Sequence, residues 1–464
     1  MISIDILPVE VLIAIFDFYA NEDPHTSRRR QIEAWQSLVH VCRRWRSVVF
    51  GSPRRLNLRL YCSARTRVRD MLDVWPALPL FVSDDYLYIE DVDDDNVISA
   101  LGRRDRVHQI ILGHAPSLLL ENVLEAMHGP FPELTELVFR GYHKTISDSF
   151  LGGSAPRLRS IILDSIPFPS LPKLLLSAPH LVKIYITSIP HSGYVSPEAL
   201  LVALSTLTSL ESLWLQFKSL QSFPDRASRH TPPSTRFVLS VLTSFRFEGV
   251  CDYLEDFVSR IDAPGLSNLN IHFLNYFTLV IDTSQFIQFI SRTPKLKALD
   301  IARVTFGGQD VLVTLSSHTH GYGELEVEAP CTGLDEQVLT MKQIFTSSFP
   351  PFITLKDLYI FQMRLFFEPQ PLRQDIENRL WLDLLHLFAA VKNLYVTVEL
   401  TPSIVFALQE LVGDRMTEAL PTLQNIFLEG LQPSGPVQEG IGQFVTARKV
   451  TGHPISVSRW DRDL

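Results

Sequence analysis

The residues best spaced for chemistry are two imidazoles two positions apart, in "HTH" at His318 to His320. Holding a metal there needs further donors close by, and no cysteine lies near. The surroundings are rich in glycine, so the pair reads as part of a solvated loop. The four cysteines, Cys42, Cys62, Cys251 and Cys331, lie far apart with no CxxC pair and no Cys/His metal spacing. That usage suits a reducing compartment. "LGGSAP" from Leu151 is a turn without the lysine of a phosphate loop, and no GxSxG nucleophile elbow occurs. We therefore read a chain that is not an enzyme and takes no metal and no cofactor, so that its chemistry is recognition.

Charge is unevenly placed. Arg28 to Arg69 contains twelve arginines against one acid, Glu33, and "SDDYLYIEDVDDDN" then brings seven acids between Asp84 and Asp95. Two solvated faces that partly neutralise each other account for such blocks. A basic patch for an acidic partner, nucleic acid or phosphoinositide, is the alternative. The net charge of −9 and a pI near 5.9 argue against nucleic acid. The start lacks a basic n-region, Asp5, Glu10 and Asp17 interrupt its apolar run, and no Asn-x-Ser/Thr acceptor occurs. The longest apolar stretches fall short of the ~20 residues of a membrane span. No membrane partner is expected, and the localisation read is cytoplasmic or nuclear.

Two kinds of element must position whatever recognition occurs. At 464 residues the chain exceeds one ordinary core, which implies several domains or an elongated repeat. To residue 53 the pattern is helical. A helix from Pro8 carries the stripe Leu12, Ile15, Phe16 and Tyr19, with Val11 and Phe18 extending it round the side. After a polar spacer from Asn21 to Glu33, "AWQSLVHVCRRWRSVVF" reads as a second helix with Leu38, Val41, Cys42, Trp45, Val48 and Val49 at helical spacing. Two apolar faces on one helix of so small a domain require a partner for one of them.

The remainder has a period. An apolar residue followed by x-x-apolar-x-apolar recurs twelve times, from "VHQIIL" at Val107 through "LESLWL" at Leu210, "LKALDI" at Leu296 and "LKDLYI" at Leu355 to "LQNIFL" at Leu423. Many copies are introduced by "APRL", "APHL", "APGL", "TPKL" or "LPTL". Helical stretches such as "SPEALLVALSTL" and "CDYLEDFVSRI" lie between them. A short strand followed by a helix, repeated, must stack on its neighbours to bury its apolar face.

That arrangement resembles leucine-rich repeats, although the Asn or Cys that usually follows the strand is mostly missing. The fold class expected is α/β: N-terminal all-α helices, then an irregular leucine-rich-repeat solenoid with parallel strands inside and helices outside. Its long loops are expected near Gln221 to Arg236 and Gly307 to Gly323. The domains read are a helical domain at 1–53, a linker and first-repeat cap at 54–77, the repeats at 78–432, and a C-terminal helix and tail at 433–464.

In such repeats the residue between the strand leucines points to the concave face. That assigns Ile111, Val138, Ile162, Tyr185, Trp214, Arg246, Asn270, Asp300, Glu326, Tyr359, Tyr395 and Phe427 to it, with Glu324, Glu328 and Phe361 flanking. Exposed aromatics are common binding anchors, and the acids favour a basic partner. The expected substrate-binding set is Tyr185, Trp214, Arg246, Asp300, Glu326, Tyr359, Phe361, Tyr395 and Phe427, for a protein substrate of unknown identity. Fully buried Trp214 and Tyr359 would sink that expectation.

"LPVEVLIAIFDFYA" and then "SLVHVCRRWRSVVFGSP" resemble an F-box, and "ARKVTGHPISVSRWDRD" resembles the end of many F-box proteins of mushroom-forming fungi. The resemblance implies docking onto the Skp-type adaptor of an SCF-type cullin-RING ubiquitin ligase, with the repeats holding the protein to be ubiquitinated. By that carry-over Leu7, Pro8, Glu10, Leu12, Ile15, Phe16, Val41 and Trp45 contact the adaptor. Leu12, Ile15 and Phe16 are then expected to be unsatisfied in the isolated chain. The alternative is a ligase-independent scaffold whose N-terminal helices cap the solenoid and leave no exposed apolar stripe.

Overall fold

A computed structural model describes residues 6–21, 28–63, 68–84, 94–113, 117–141, 145–223, 236–274, 283–297, 299–319, 323–331, 333–347, 355–363, 378–411, 415, 417–430 and 434–461. They cluster into two compact units, Met1–Leu181 and Val182–Leu464.

The first unit opens with α1 (Val9–Asn21), α2 (Arg28–Val41) and α3 (Arg43–Gly51). The Pro8 carbonyl accepts the Leu12 N–H at 3.1 Å and so opens α1. The segment expected as one helix through Trp45 is two. Cys42 is extended, with φ −157° and ψ 169°, and its Sγ accepts the Trp45 N–H at 3.4 Å, capping α3. Strand–helix units follow: β1 (Leu60–Cys62), α4 (Val68–Val74), β2 (Leu80–Ser83), α5 (Asp94–Leu101), β3 (Val107–Leu112), α6 (Ser117–Ala126), β4 (Glu136–Arg140), β5 (Ser160–Asp164) and α7 (Leu171–Leu176). The strands β1 to β5 pair in parallel in chain order.

The second unit continues the pattern with β6 (Lys183–Ile189), α8 (Pro197–Leu204), β7 (Ser212–Phe217), β8 (Phe237–Val238), β9 (Ser244–Gly249), α9 (Cys251–Ser259), β10 (Ile261–Asp262), β11 (Asn268–Phe273), α10 (Ser284–Arg292), β12 (Ile301–Phe306), β13 (Asp310–Ser316), β14 (Glu324–Pro330), α11 (Leu334–Ser347), β15 (Asp357–Gln362), α12 (Asn378–Leu385), β16 (Asn393–Val396), α13 (Thr401–Gln409), β17 (Asn425–Glu429), α14 (Pro436–Val450) and β18 (Ser456–Trp460). The sheet order within it is β6-β7-β9-β11-β14-β13-β12-β15-β16-β17-β18, while β8 pairs with β10 apart from it.

The recurrent "AP-x-L" lead-in has a physical reason. In each case the leucine N–H bonds the carbonyl three residues back, as in Leu158 to Ala155 (3.1 Å), Leu181 to Ala178 (3.2 Å) and Leu266 to Ala263 (3.1 Å). Proline at the second position of such a turn supplies the required φ. The turn drives its leucine inward, and Leu158, Leu181 and Leu266 are fully buried. The strand residues then alternate, with the apolar set buried and the intervening set open on the sheet face away from the core.

Two expectations are corrected. The loop placed at Gly307 to Gly323 contains β13, which runs antiparallel between β12 and β14. Val311, Val313 and Leu315 alternate with Leu312 and Thr314, which is a strand pattern after a tight hairpin closed by the Gly307 N–H on the Asp310 carbonyl (2.9 Å). This insertion puts β14 beside β11 and β12 beside β15, so spatial order departs from chain order there. The tail expected after the C-terminal helix contains β18, paired in parallel with β17. Residues 224–235 of the other expected loop and most of the acidic block, 85–93, lie outside the described residues. No described helix is long and apolar enough to cross a membrane.

Candidate functional site

Two surfaces carry the residues singled out by sequence. On α1, Leu12, Ile13 and Phe16 are buried within the chain, and the Phe16 ring lies 4.8 Å from that of Trp45. The expectation that Leu12 and Phe16 are unsatisfied in the isolated chain fails, because α2 and α3 already cover that face. Ile15 is different. It is 42% exposed, and it shares a row with Val11 at 41% and Phe18 at 67%. Positions i, i+4 and i+7 lie on one side of a helix, about a third of a turn round from the Leu12–Phe16 row. Val41, at the end of α2, is also exposed, as are Pro8 and Glu10, while Leu7 and Trp45 are half-buried. The Arg44 guanidinium donates to the Leu7 carbonyl and ties the chain ahead of α1 to α3.

The other surface is the open sheet face of the second unit. Strand register aligns Tyr185 with Trp214, Trp214 with Arg246, Arg246 with Asn270 and Asn270 with Glu326. It continues through Thr314 and Arg303 to Tyr359, Tyr395 and Phe427. None of these is buried, and Trp214 and Tyr359 in particular are only half-covered. Asp300 is the exception. The template read at "LKALDI" is displaced by three residues, because β12 begins at Ile301 and Ala302 takes the inward position paired with Leu358. Arg303 therefore holds the slot expected for Asp300. Asp300 instead accepts the His318 N–H at 2.9 Å and sits 3.6 Å from Lys356 Nζ.

Stacking organises the two ends of this ladder. Tyr359 and Tyr395 stack at 4.1 Å and Tyr395 and Phe427 at 4.5 Å, with planes within 9° of parallel. Phe361 flanks Tyr359, and the Trp460 ring stands across Tyr395 at 5.6 Å. Burial, and then Tyr359, pushes the Tyr395 hydroxyl up to about 12. At the other end Tyr185 meets Trp214 edge-on at 5.7 Å, and the Arg246 guanidinium lies 4.5 Å over the Trp214 ring. The buried Trp214 Nε1 finds no acceptor among the described residues. Sequence reading missed Arg303 and Trp460. Their signals were the alternation in "IARVTF" and "SVSRW".

The middle of the ladder is polar. Glu324, Glu326 and Glu328 share the open face of β14. Asn270 Nδ2 donates to Glu326, and His272 lies 3.8 Å from Glu248 and 3.7 Å from Glu328. Burial is the main cause that raises the Glu328 carboxyl above its usual range. His272 opposes the shift, and Asp310, Glu326 and Glu248 add to it. Along the starts of the strands runs a side-chain chain in which Ser456 donates to Asn425 (2.6 Å), Asn425 to Asn393 (2.7 Å) and Asn393 to Asp357 (2.5 Å), with His318 closing on Asp357. His318 is thus a partner of this chain, while His320 lies outside the described residues. No group of three or more metal-ligating side chains occurs among the described residues.

No family model matches the chain, and no curated protein matches it. Among solved structures it is similar to the leucine-rich repeat-containing protein LegL7 from Legionella pneumophila, at 13% identity over 83% of this chain and 97% of that one, with a TM-score of 0.27. The α/β repeat of parallel strands and covering helices rests on the chain's own register and burial.

Proposed function

We propose that this chain is a substrate-receptor subunit of an SCF-type cullin-RING ubiquitin ligase. In this reading the helical N-terminus docks a Skp-type adaptor and the open face of the second unit holds a target protein. The observation that carries it is the outer row of α1. Val11, Ile15 and Phe18 stay exposed although α1 is already packed on α2 and α3 through its Leu12–Phe16 row. Fully covering side chains of this size is worth about 1.5–3 kcal/mol each, so a helix that leaves three of them out in one line is built for an apolar partner. The target face is supported by the aromatic ends of the ladder. Its glutamate row favours a basic segment between two apolar ones.

The test is co-purification with a Skp-type adaptor. Capture by the unaltered chain, and its loss in Ile15→Asp with Phe18→Asp at unchanged thermal stability, is expected. No capture by the unaltered chain removes the reading.

One observation favours a second reading, a scaffold capped by its N-terminal helices. Trp75, just after α4, packs on Trp35 at 5.2 Å and on Phe50 at 6.2 Å, so α2 and α3 do cover the start of the repeats. Under that reading the double aspartate variant has no binding phenotype.

A further inference from the structure

A cleft in the first unit has a chemistry that neither of these surfaces uses. It measures about 430 Å³ and lies between the turn after α3, the lead-in to β2 and the starts of β3 and β4. That volume suits a small organic ligand better than a lone ion. Arg54, Asn57, Arg59 and Gln109 supply its polar walls, and Leu58 and Phe81 are among its apolar ones. No lining residue is an acid, in a chain whose net charge is −9. Of the carboxylates nearby, Glu133 pairs with Arg157 and lies 4.0 Å from His108, while Glu136 sits beside Gln109 in the next strand.

The two arginines are placed by backbone geometry. Asn57 has φ 47°, a left-handed conformation that asparagine tolerates better than most residues. Its N–H bonds the Arg54 carbonyl at 3.3 Å, and the Leu58 N–H bonds the Pro53 carbonyl at 2.9 Å. This tight turn brings Arg54 and Arg59 to one cleft. Arg59 lies 5.5 Å over the Phe81 ring and donates to Gln109 Oε1 at 3.1 Å, which fixes its plane. The Arg54 side chain is exposed and makes no hydrogen bond or ion pair among the described residues. Burial, opposed by Glu133, lowers the His108 imidazole below its usual range, so at neutral pH it lines the cleft uncharged.

We propose that this cleft binds a phosphate monoester carried on a small organic group, with Arg54 and Arg59 on the phosphate and Leu58 and Phe81 against the carrier. Guanidinium forks match phosphate oxygens two at a time. The carrier has two possible sources, a phosphorylated side chain of a peptide or a free phosphorylated small molecule. The proposal is independent of adaptor docking.

The full chain is titrated by calorimetry with a short glycine–alanine peptide containing a central phosphoserine, its unphosphorylated twin, free O-phosphoserine and inorganic phosphate. We expect the phosphopeptide or free phosphoserine to bind at least about tenfold more tightly than the twin and than inorganic phosphate. Tighter binding of the peptide identifies a side-chain source, and equal binding a free one. Arg54→Glu, on an exposed side chain outside the core, is expected to abolish binding at unchanged thermal stability, and Arg54→Lys to keep part of it. Equal affinity for the twin, binding of inorganic phosphate alone, or full binding by Arg54→Glu overturns the proposal.

Discussion

The outer row of α1 and the aromatic ladder of the second unit are both partly apolar and open, yet they are built in opposite ways. On α1 a single helix carries a buried and an exposed apolar row side by side, so Leu12 and Phe16 hold the fold while Ile15, next to Phe16, does not. Nothing polar is offered along Val11, Ile15 and Phe18. In the sheet, period two separates the roles at every step: Leu213, Leu215, Leu394 and Val396 face the core, while Trp214 and Tyr395 face out. The outward rings are stacked on one another and bordered by Arg246 and Arg303. The helix row is a surface that gains mainly from being covered. The ladder is already stabilised by its own contacts, so what it adds on binding is selection.

The sharpest way to break the comparison is on α1. Phe16→Ala is expected to cost about 3–5 kcal/mol of stability, the usual range for emptying a buried phenylalanine site. Ile15→Asp with Phe18→Asp is expected to shift stability within about 0.5 kcal/mol, while adaptor capture disappears. Chemical denaturation followed by the signal of the first unit separates them. Equal losses in the two variants would mean that α1 does not divide its roles by row.

In the ladder the same experiment gives a milder result. Tyr395→Ala removes two stacked neighbours at about 0.5–1.5 kcal/mol each and leaves Leu394 and Val396 in the core. Amide exchange in β15, β16 and β17 is expected to quicken locally, with the rest of the unit unchanged. Smaller still is Asn393→Ala, which opens the chain from Ser456 to Asp357 at about 1 kcal/mol, a typical net hydrogen bond. Its signature is loss of protection at the starts of β16 and β17. Global unfolding in either variant would show that the outward residues carry the fold after all.

Sequence made the repeat legible because the inward leucines are constrained twice, by the strand alternation and by the "AP-x-L" turn. Most of the ladder followed from them, since each outward residue is fixed once its neighbours are. The reading slipped where that constraint loosens. At "LKALDI" two frames fit, and nothing local says that Leu299 rather than Leu296 starts the unit, so Asp300 and Arg303 compete for one slot. β13 was hidden because an antiparallel insertion leaves no mark on the period. On α1 both rows are apolar, and only packing against α3 decides which one is buried. Helical spacing alone therefore grouped Ile15 with Leu12 and Phe16.

The smallest effect concerns pH and sharpens the contrast most, because the α1 row offers no group to titrate. Burial holds the Glu328 carboxyl above its usual value of 4.5, and Asp310, Glu326 and Glu248 add to the shift, with His272 opposing it. A carboxyl with a raised folded-state pKa binds more protons folded than unfolded. Its contribution to stability therefore falls as pH rises from about 4.5 through the folded value, and stays low above it. Glu328→Gln removes that contribution. The variant is expected to match the unaltered chain near pH 4 and to exceed it modestly in melting temperature near pH 7. A cationic target group beside Glu328 acts in the same direction, by favouring the charged form that the empty face disfavours. Uncharged solutes leave the difference in place. If the two melting curves stay superimposed across that range, Glu328 is not strained, and the glutamate row loses its reason to prefer a basic segment.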